Sequence, residues 1–420
     1  MNTTEIVNPF RPGAGHMPPY LAGRLHETDE FLKLLAQKVI LTNLVLTGLR
    51  GVGKTVLLET FKPLALKNKW LWVGTDLSES ASVSEETLAQ RLLTDLSVAT
   101  AGIKVKRLLK DTGFFTQATF EEKHLSYVLL SELYKNAPGL VADRIKIILE
   151  FVWRCLSQVG VNGVVFAYDE TQTMSDHAET NQYPLSVLLD VFQSVQKKGI
   201  PFMLVFAGLP TLFPKLVATR TFSERMFTVV TLHKLPEPES RKAITIPIER
   251  ANEHGTCPLT FCEQSIALIQ QTSGGYPYFI QFICKELFDV FLQQIAMSGK
   301  ASPVPIKEIV QKLDKNFFAG RWAKATDRQR ELLSIVSTLD NCDDEFTVQD
   351  IVVASKQMAS PFGASHVSQM LVALAESGLV YKNRHGKYSF AVPLLGQFIL
   401  REEVDRTMPL LAKKASQGSR

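Results

Sequence analysis

The stretch Leu46-Thr47-Gly48-Leu49-Arg50-Gly51-Val52-Gly53-Lys54-Thr55 constrains this chain more than any other. It fits G-x-x-x-x-G-K-[ST], the pattern of a phosphate-binding P-loop. Gly48, Gly51 and Gly53 lack the β-carbon that would forbid an inward turn, so successive N–H groups can converge on one point. At the start of a helix those groups cradle phosphate oxygens. Lys54 brings a point charge to the β- and γ-phosphates of ATP, and the Thr55 hydroxyl is suited to ligate Mg2+. The flanks agree. Asn43-Leu44-Val45-Leu46-Thr47 is an apolar, strand-like run, and Val56-Leu57-Leu58-Glu59-Thr60-Phe61 reads as helix. Arg50, Val52 and Val56 complete the expected nucleotide-binding stretch.

A second signal lies downstream, at Gly163-Val164-Val165-Phe166-Ala167-Tyr168-Asp169-Glu170. An apolar run without alternation implies a strand buried on both faces, as in a parallel sheet. It ends in two carboxylates. Beside a P-loop, Asp169 would hold Mg2+ through its water shell, and Glu170 would polarise the attacking water. Gln172 could orient water or touch a partner.

The rest of the chain supplies a matching scaffold. Its 420 residues suffice for two to three domains, each with its own core. Apolar content of 45% and charged content of 21% are ordinary for a globular protein. A net charge of +4 does not by itself argue for nucleic acid, so any basic surface must be local. The five cysteines are scattered, without zinc-ligand spacing, and read as reduced core thiols of a cytoplasmic protein. The N-terminus has no signal-peptide pattern, and the longest apolar run, 200–213, is too short to span a bilayer.

In chain order, residues 1–26 are Pro- and Gly-rich and read as an extended linker that could lie against an adenine ring. Trp70-Leu71-Trp72-Val73-Gly74, the segment 201–208 and the segment 226–232 add buried strands. A helix opens at the Ser84 cap. Residues 101–160 read as irregular helix, with Lys104, Lys106, Arg107 and Lys110 on a solvated face or against DNA. Alternating buried strands and helices over 27–235 predict a doubly wound α/β domain, with ligands at the carboxyl ends of the strands. Residues 236–300 predict an all-helical lid. Residues 301–400 predict helices and a hairpin, and 401–420 a tail. In the fourth helix of that region His366 and Gln369 face outward. The hairpin turn carries Lys382, Arg384 and Lys387. Helices with a cationic hairpin describe a winged helix, which can contact duplex DNA or dock a protein.

Taken together, the chain resembles the AAA+ ATPases, in the branch shared by origin-recognition-type and STAND-type proteins. It is similar to bacterial AAA-family ATP-binding proteins of about this length. The resemblance spans about residues 8–400. It rests on 18–24, 46–55, Ala167-Tyr168-Asp169-Glu170, Ala207-Gly208-Leu209-Pro210, 222–227 and Gly274-Gly275-Tyr276-Pro277-Tyr278. It implies a five-stranded parallel sheet with helices on both faces, a helical lid and a winged helix that reports nucleotide state. It also implies adenine held near Gly23 and Arg24, contact of Pro277 with the nucleotide, and ATP shared between subunits of a homo-oligomer. Arg225 then matches a finger acting on a neighbour's nucleotide. Two departures stand out. Phe206-Ala207-Gly208 lacks the polar residue usual at that strand end, with Thr211 a weak substitute. Tyr278 stands where many relatives carry arginine. Both suit slow hydrolysis by a molecular switch. The alternative is a scaffold whose winged helix binds protein and whose nucleotide is structural.

Overall fold

The computed structural model describes residues 7–13, 15–77, 79–108, 120–253, 260–298, 305–340, 342, 344–358, 360–384 and 386–403. They form two compact units. One holds Arg24–Gly48 and Lys54–Thr231. The other holds Leu49–Gly53 with the described residues of 7–23 and of 232 onward.

The first unit is built on a sheet whose inner strands carry few polar side chains. Its strands are β1 (Asn43–Gly48), β2 (Trp70–Asp76), β3 (Lys104–Leu108), β4 (Phe120–His124), β5 (Gly163–Asp169), β6 (Phe202–Gly208) and β7 (Phe227–Leu232). Five of these make one parallel sheet in the order β2-β5-β6-β1-β7. Every residue of β1, β5 and β6 is buried, which explains the unbroken apolar runs. The register sets Ala167 of β5 beside Val205 of β6, and Leu46 of β1 beside Ala207. The tips of β1, β5 and β6 therefore end at one edge, where the P-loop and the acidic pair begin.

Aromatic packing locks the flanking helices. Phe31 stacks on Phe61 at 4.2 Å, and Phe166 meets Phe192 edge-on at 4.8 Å. A polar hub lies inside this core. Asn43, fully buried, accepts from the Leu204 N–H at 2.8 Å and from Gln196 at 2.8 Å, and donates to the Met226 carbonyl at 3.1 Å. These bonds tie β1 to β6, to the residue before β7 and to the helix Pro184–Lys197. A buried amide satisfied on every side specifies register as well as stability.

One expectation fails here. Residues 101–160 are not helical throughout, because β3 and β4 form an antiparallel pair. In its register Lys106 lies opposite Glu122 and Arg107 opposite Glu121. Pairing between strands separated in sequence is invisible to a helical window. Lys104, Lys106 and Arg107 thus sit on a strand. Lys110 lies outside the described residues.

The second unit contains the helices Glu237–Glu253, Glu263–Ser273 and Pro277–Ser298. Asn8, Phe10, Pro19 and Tyr20 are held against them. The Asn8 amide donates to the Lys285 carbonyl at 2.9 Å and to Asp289 at 2.7 Å. Phe10, only 3% exposed, stacks on Phe261 at 6.4 Å. Arg250 donates to the Pro19 carbonyl at 2.7 Å and lies over the Tyr20 ring. The proline-rich start is thus a strap on the helical unit.

Beyond it come the helices Ile306–Leu313, Ala319–Trp322, Asp327–Ser337, Val348–Ala354 and Ala364–Glu376. A π-helical turn at Asp314–Phe318 joins the first two. Thr326 and Thr347 cap their helices through reciprocal side-chain bonds. Strands β8 (Phe346–Thr347), β9 (Val380–Arg384) and β10 (Lys387–Phe390) make an antiparallel sheet in the order β8-β10-β9. Strand β8 is an addition to the sequence reading, too short for any period to register. Among the described residues no helix is long and apolar enough to cross a membrane.

Candidate nucleotide site

The site begins where β1 gives way to the helix Lys54–Lys67. Gly51 and Gly53 take φ of 77° and 93°, which L side chains rarely adopt. At Gly51 space is short as well. A β-carbon there would fall 3.1 Å from the Tyr278 β-carbon, and the Tyr278 N–H donates to the Gly51 carbonyl at 3.1 Å. The loop residues Leu49–Gly53 therefore pack against the start of the helix that Pro277 opens. Arg50, half-buried, lies with its guanidinium beside Gly378. Val52 is buried, and Val56 is half-buried in the first turn of the helix.

Lys54 is 8% exposed, and its Nζ donates to the Gly48 carbonyl at 2.9 Å. Thr55 donates its hydroxyl to Asp169 Oδ2 at 2.5 Å. Thr55 and Asp169 are 114 residues apart in sequence, so this contact exists only because β5 and the P-loop end at the same sheet edge. Asp169 is 5% exposed, and its second oxygen accepts the Glu170 N–H at 2.7 Å. A hydroxyl and a buried carboxylate facing each other at a helix N-terminus are hard oxygen donors of the kind Mg2+ takes. The donor set therefore fits that ion.

Glu170 is exposed and sits in the left-handed region with φ of 51°. It leaves the strand at once and presents its carboxylate at the tip. The Gln172 amide donates to it, and the Gln172 side-chain oxygen accepts the Leu209 N–H at 3.1 Å. Lys215 Nζ donates to the Gln172 carbonyl at 2.7 Å. Burial pushes the Lys215 ammonium below the ordinary lysine range, with Asp176 opposing the shift. Lys215 was not singled out in the sequence. Its only signal there is a lone cation in the apolar helix Leu212–Thr219.

The other predicted residues lie as follows. Gly23 approaches Leu235 and Glu239, with a would-be β-carbon 3.1 Å from the Glu239 side chain. Arg24, 6% exposed, pairs with Glu27 at 3.2 Å, and burial pulls its guanidinium below the usual arginine range against that pairing. Pro277 follows the Gly274-Gly275 turn, where a β-carbon on Gly275 would strike the Leu235 carbonyl at 2.7 Å. Arg225 is exposed on the short helix Ser223–Met226, and no ion pair holds its guanidinium among the described residues. Nearby Arg220 is committed to Asp190 through two bonds, at 3.0 and 2.8 Å. His366, Gln369 and Lys382 are exposed. Arg384 is exposed but paired with Glu345 at 2.7 Å, which also accepts from Asn383. Lys387 is half-buried, and Glu345 is held below the ordinary carboxylate range chiefly by its bond from Arg384, with Lys387 adding to the effect.

A five-stranded parallel sheet in this order, a P-loop after β1 and an acidic tip on β5 define the AAA+ ATPase fold of the ORC/Cdc6 kind. Comparison with solved structures agrees. The Walker-type ATPase PABY2304 of Pyrococcus abyssi matches with a TM-score of 0.55 at 13% identity, covering 90% of this chain and 96% of that one. The ADP form of the Aeropyrum pernix ORC2 protein matches with a TM-score of 0.52 at 14% identity, covering 93% and 97%. The ADPNP–ADP complexes of the same ORC2 protein match with a TM-score of 0.50 at 15% identity, covering 96% and 98%. At these identities the likeness is one of fold. A family model described as a domain of unknown function, DUF8462, matches residues 315–399. None of the curated proteins matches the sequence.

Proposed function

We propose that the chain is a Mg2+-dependent ATP-binding switch that hydrolyses ATP slowly. The observation that carries this reading is the Thr55–Asp169 contact, which joins the P-loop helix to the acidic tip of β5. The P-loop amides and Lys54 would hold the phosphates. Thr55 and Asp169 would hold Mg2+, which supplies positive charge against the phosphate oxygens. Glu170 would take the proton of the attacking water. The exposed Arg225, without an ion pair among the described residues, suits a role on a neighbouring subunit's nucleotide in a homo-oligomer. On that reading the mass of the assembly rises when a non-hydrolysable ATP analogue and Mg2+ are added, and Arg225→Ala hydrolyses ATP about 1,000-fold more slowly. An analogue-bound chain that stays monomeric would remove the shared site.

We read the C-terminal helices and the β9–β10 hairpin as a winged helix. Its exposed Lys382 and partly exposed Lys387 suit contact with duplex DNA or with a DNA-bound partner. A second reading, protein docking, has its own support. The helix Ala364–Glu376 contains no lysine or arginine, and Arg384 is already paired with Glu345. Titration with random duplex DNA across a salt series separates the two. Phosphate contacts release counterions, so binding through two or three cations would weaken roughly tenfold or more between 50 and 200 mM salt. Absence of binding even at the lowest salt would leave the docking reading.

A further inference from the structure

The end of β6 carries no polar side chain, yet a polar group occupies that place. It is the side-chain amide of Gln172. Its oxygen accepts the Leu209 N–H, the first amide after β6, at 3.1 Å. With the oxygen so held, the nitrogen is turned toward Glu170 and donates to Oε2. The backbone of the same residue is fixed independently, because Lys215 Nζ donates to the Gln172 carbonyl at 2.7 Å. The turn that presents it is pinned too. The Thr171 hydroxyl donates to the Tyr168 carbonyl at 2.9 Å, and the Thr173 hydroxyl to the Leu77 carbonyl at 2.8 Å.

Gly208 belongs to the same arrangement. A β-carbon there would lie 2.5 Å from Gln172 Oε1. Any side chain at the end of β6 would push the amide away. The missing polar residue and the close-packed glutamine are therefore two views of one device.

We propose that Gln172 is a positioning residue for hydrolysis, and that its clamped amide holds the Glu170 carboxylate in one orientation at the tip of β5. The inference rests on the reading of Glu170 as the group that activates water, and it adds the residue that aims it. A glutamate on the surface otherwise samples several rotamers, and freezing them in advance is worth about a tenfold gain in rate. Gln172 acts through Glu170 and needs no contact with the nucleotide.

The test pairs Gln172→Ala with Glu170→Gln in the full-length chain. In the parental background, Gln172→Ala should lower kcat about tenfold and leave KM within about twofold. In the Glu170→Gln background, single-turnover hydrolysis should fall no further, because the group being aimed is gone. Amide exchange at Leu209 in the nucleotide-free protein should become faster in Gln172→Ala. Gln172→Glu keeps the acceptor for Leu209 and loses the donor. It should show parental Leu209 exchange with a rate loss at least as large. An unchanged kcat, an equal loss in both backgrounds, or unchanged Leu209 exchange in Gln172→Ala would each overturn the proposal. A Glu170→Gln chain as fast as the parent would instead overturn the assignment of Glu170. The Leu209 readout needs no nucleotide and keeps those two failures apart.

Discussion

Replacing Lys54 by alanine weakens ATP binding about a hundredfold, measured by calorimetric titration in the presence of Mg2+. The argument is electrostatic. Lys54 is 8% exposed, and its Nζ donates to the Gly48 carbonyl at 2.9 Å. A phosphate oxygen compensates a largely buried ammonium better than a neutral carbonyl does. A charge-assisted bond of this kind is worth about 3 kcal/mol, or roughly two powers of ten in affinity. The fold should tolerate the change, because Lys54 is the first residue of its helix and alanine is a good helix former. An unaltered affinity would refute the P-loop assignment.

Glu170→Gln produces the second large effect, and of a different kind. ATP affinity stays within a few-fold of the parent while steady-state hydrolysis drops by two to four powers of ten, the usual contribution of a positioned general base. The separation follows from the site. Asp169 points into the Thr55 hydroxyl, whereas Glu170 turns out of the strand and is exposed. The amide retains size and loses only the ability to take a proton. Released phosphate, followed at saturating ATP, checks this. Parental turnover in the variant would assign water activation to another group.

Much of this arrangement was legible in the residues, and the reasons are physical. Strands buried on both faces must be continuously apolar, so β1, β5 and β6 announce themselves without any pairing information. A P-loop needs glycine for backbone reasons and Lys-Thr for chemical ones, and that combination survives in any context. The helices Glu237–Glu253, Glu263–Ser273 and Pro277–Ser298 follow from ordinary amphipathic period and turn residues.

What escaped is long-range and polar. Asn43 and Gln196 meet across 153 residues of sequence, and neither lies in a pattern that marks it. The β3–β4 pair joins strands separated by eleven residues, from 109 to 119, and local periodicity does not register such a pairing. Gln172 and Lys215 are 43 residues apart, and only the turn after β5 brings them together. Glu170 follows β5 directly, and its left-handed backbone, which aims it outward, has no signature in the side chain. The proline-rich start reads as extended. Phe10, which anchors it among Phe261 and Phe288, gave no hint of its destination.

The measurement closest to the central claim is titration of a non-hydrolysable ATP analogue into the parental chain and into Lys54→Ala, each with and without Mg2+. Saturable binding by the parent, strengthened by the metal and lost about a hundredfold in the variant, is the predicted result. Heat-silent mixing in every case, or equal affinity for parent and variant, would contradict it.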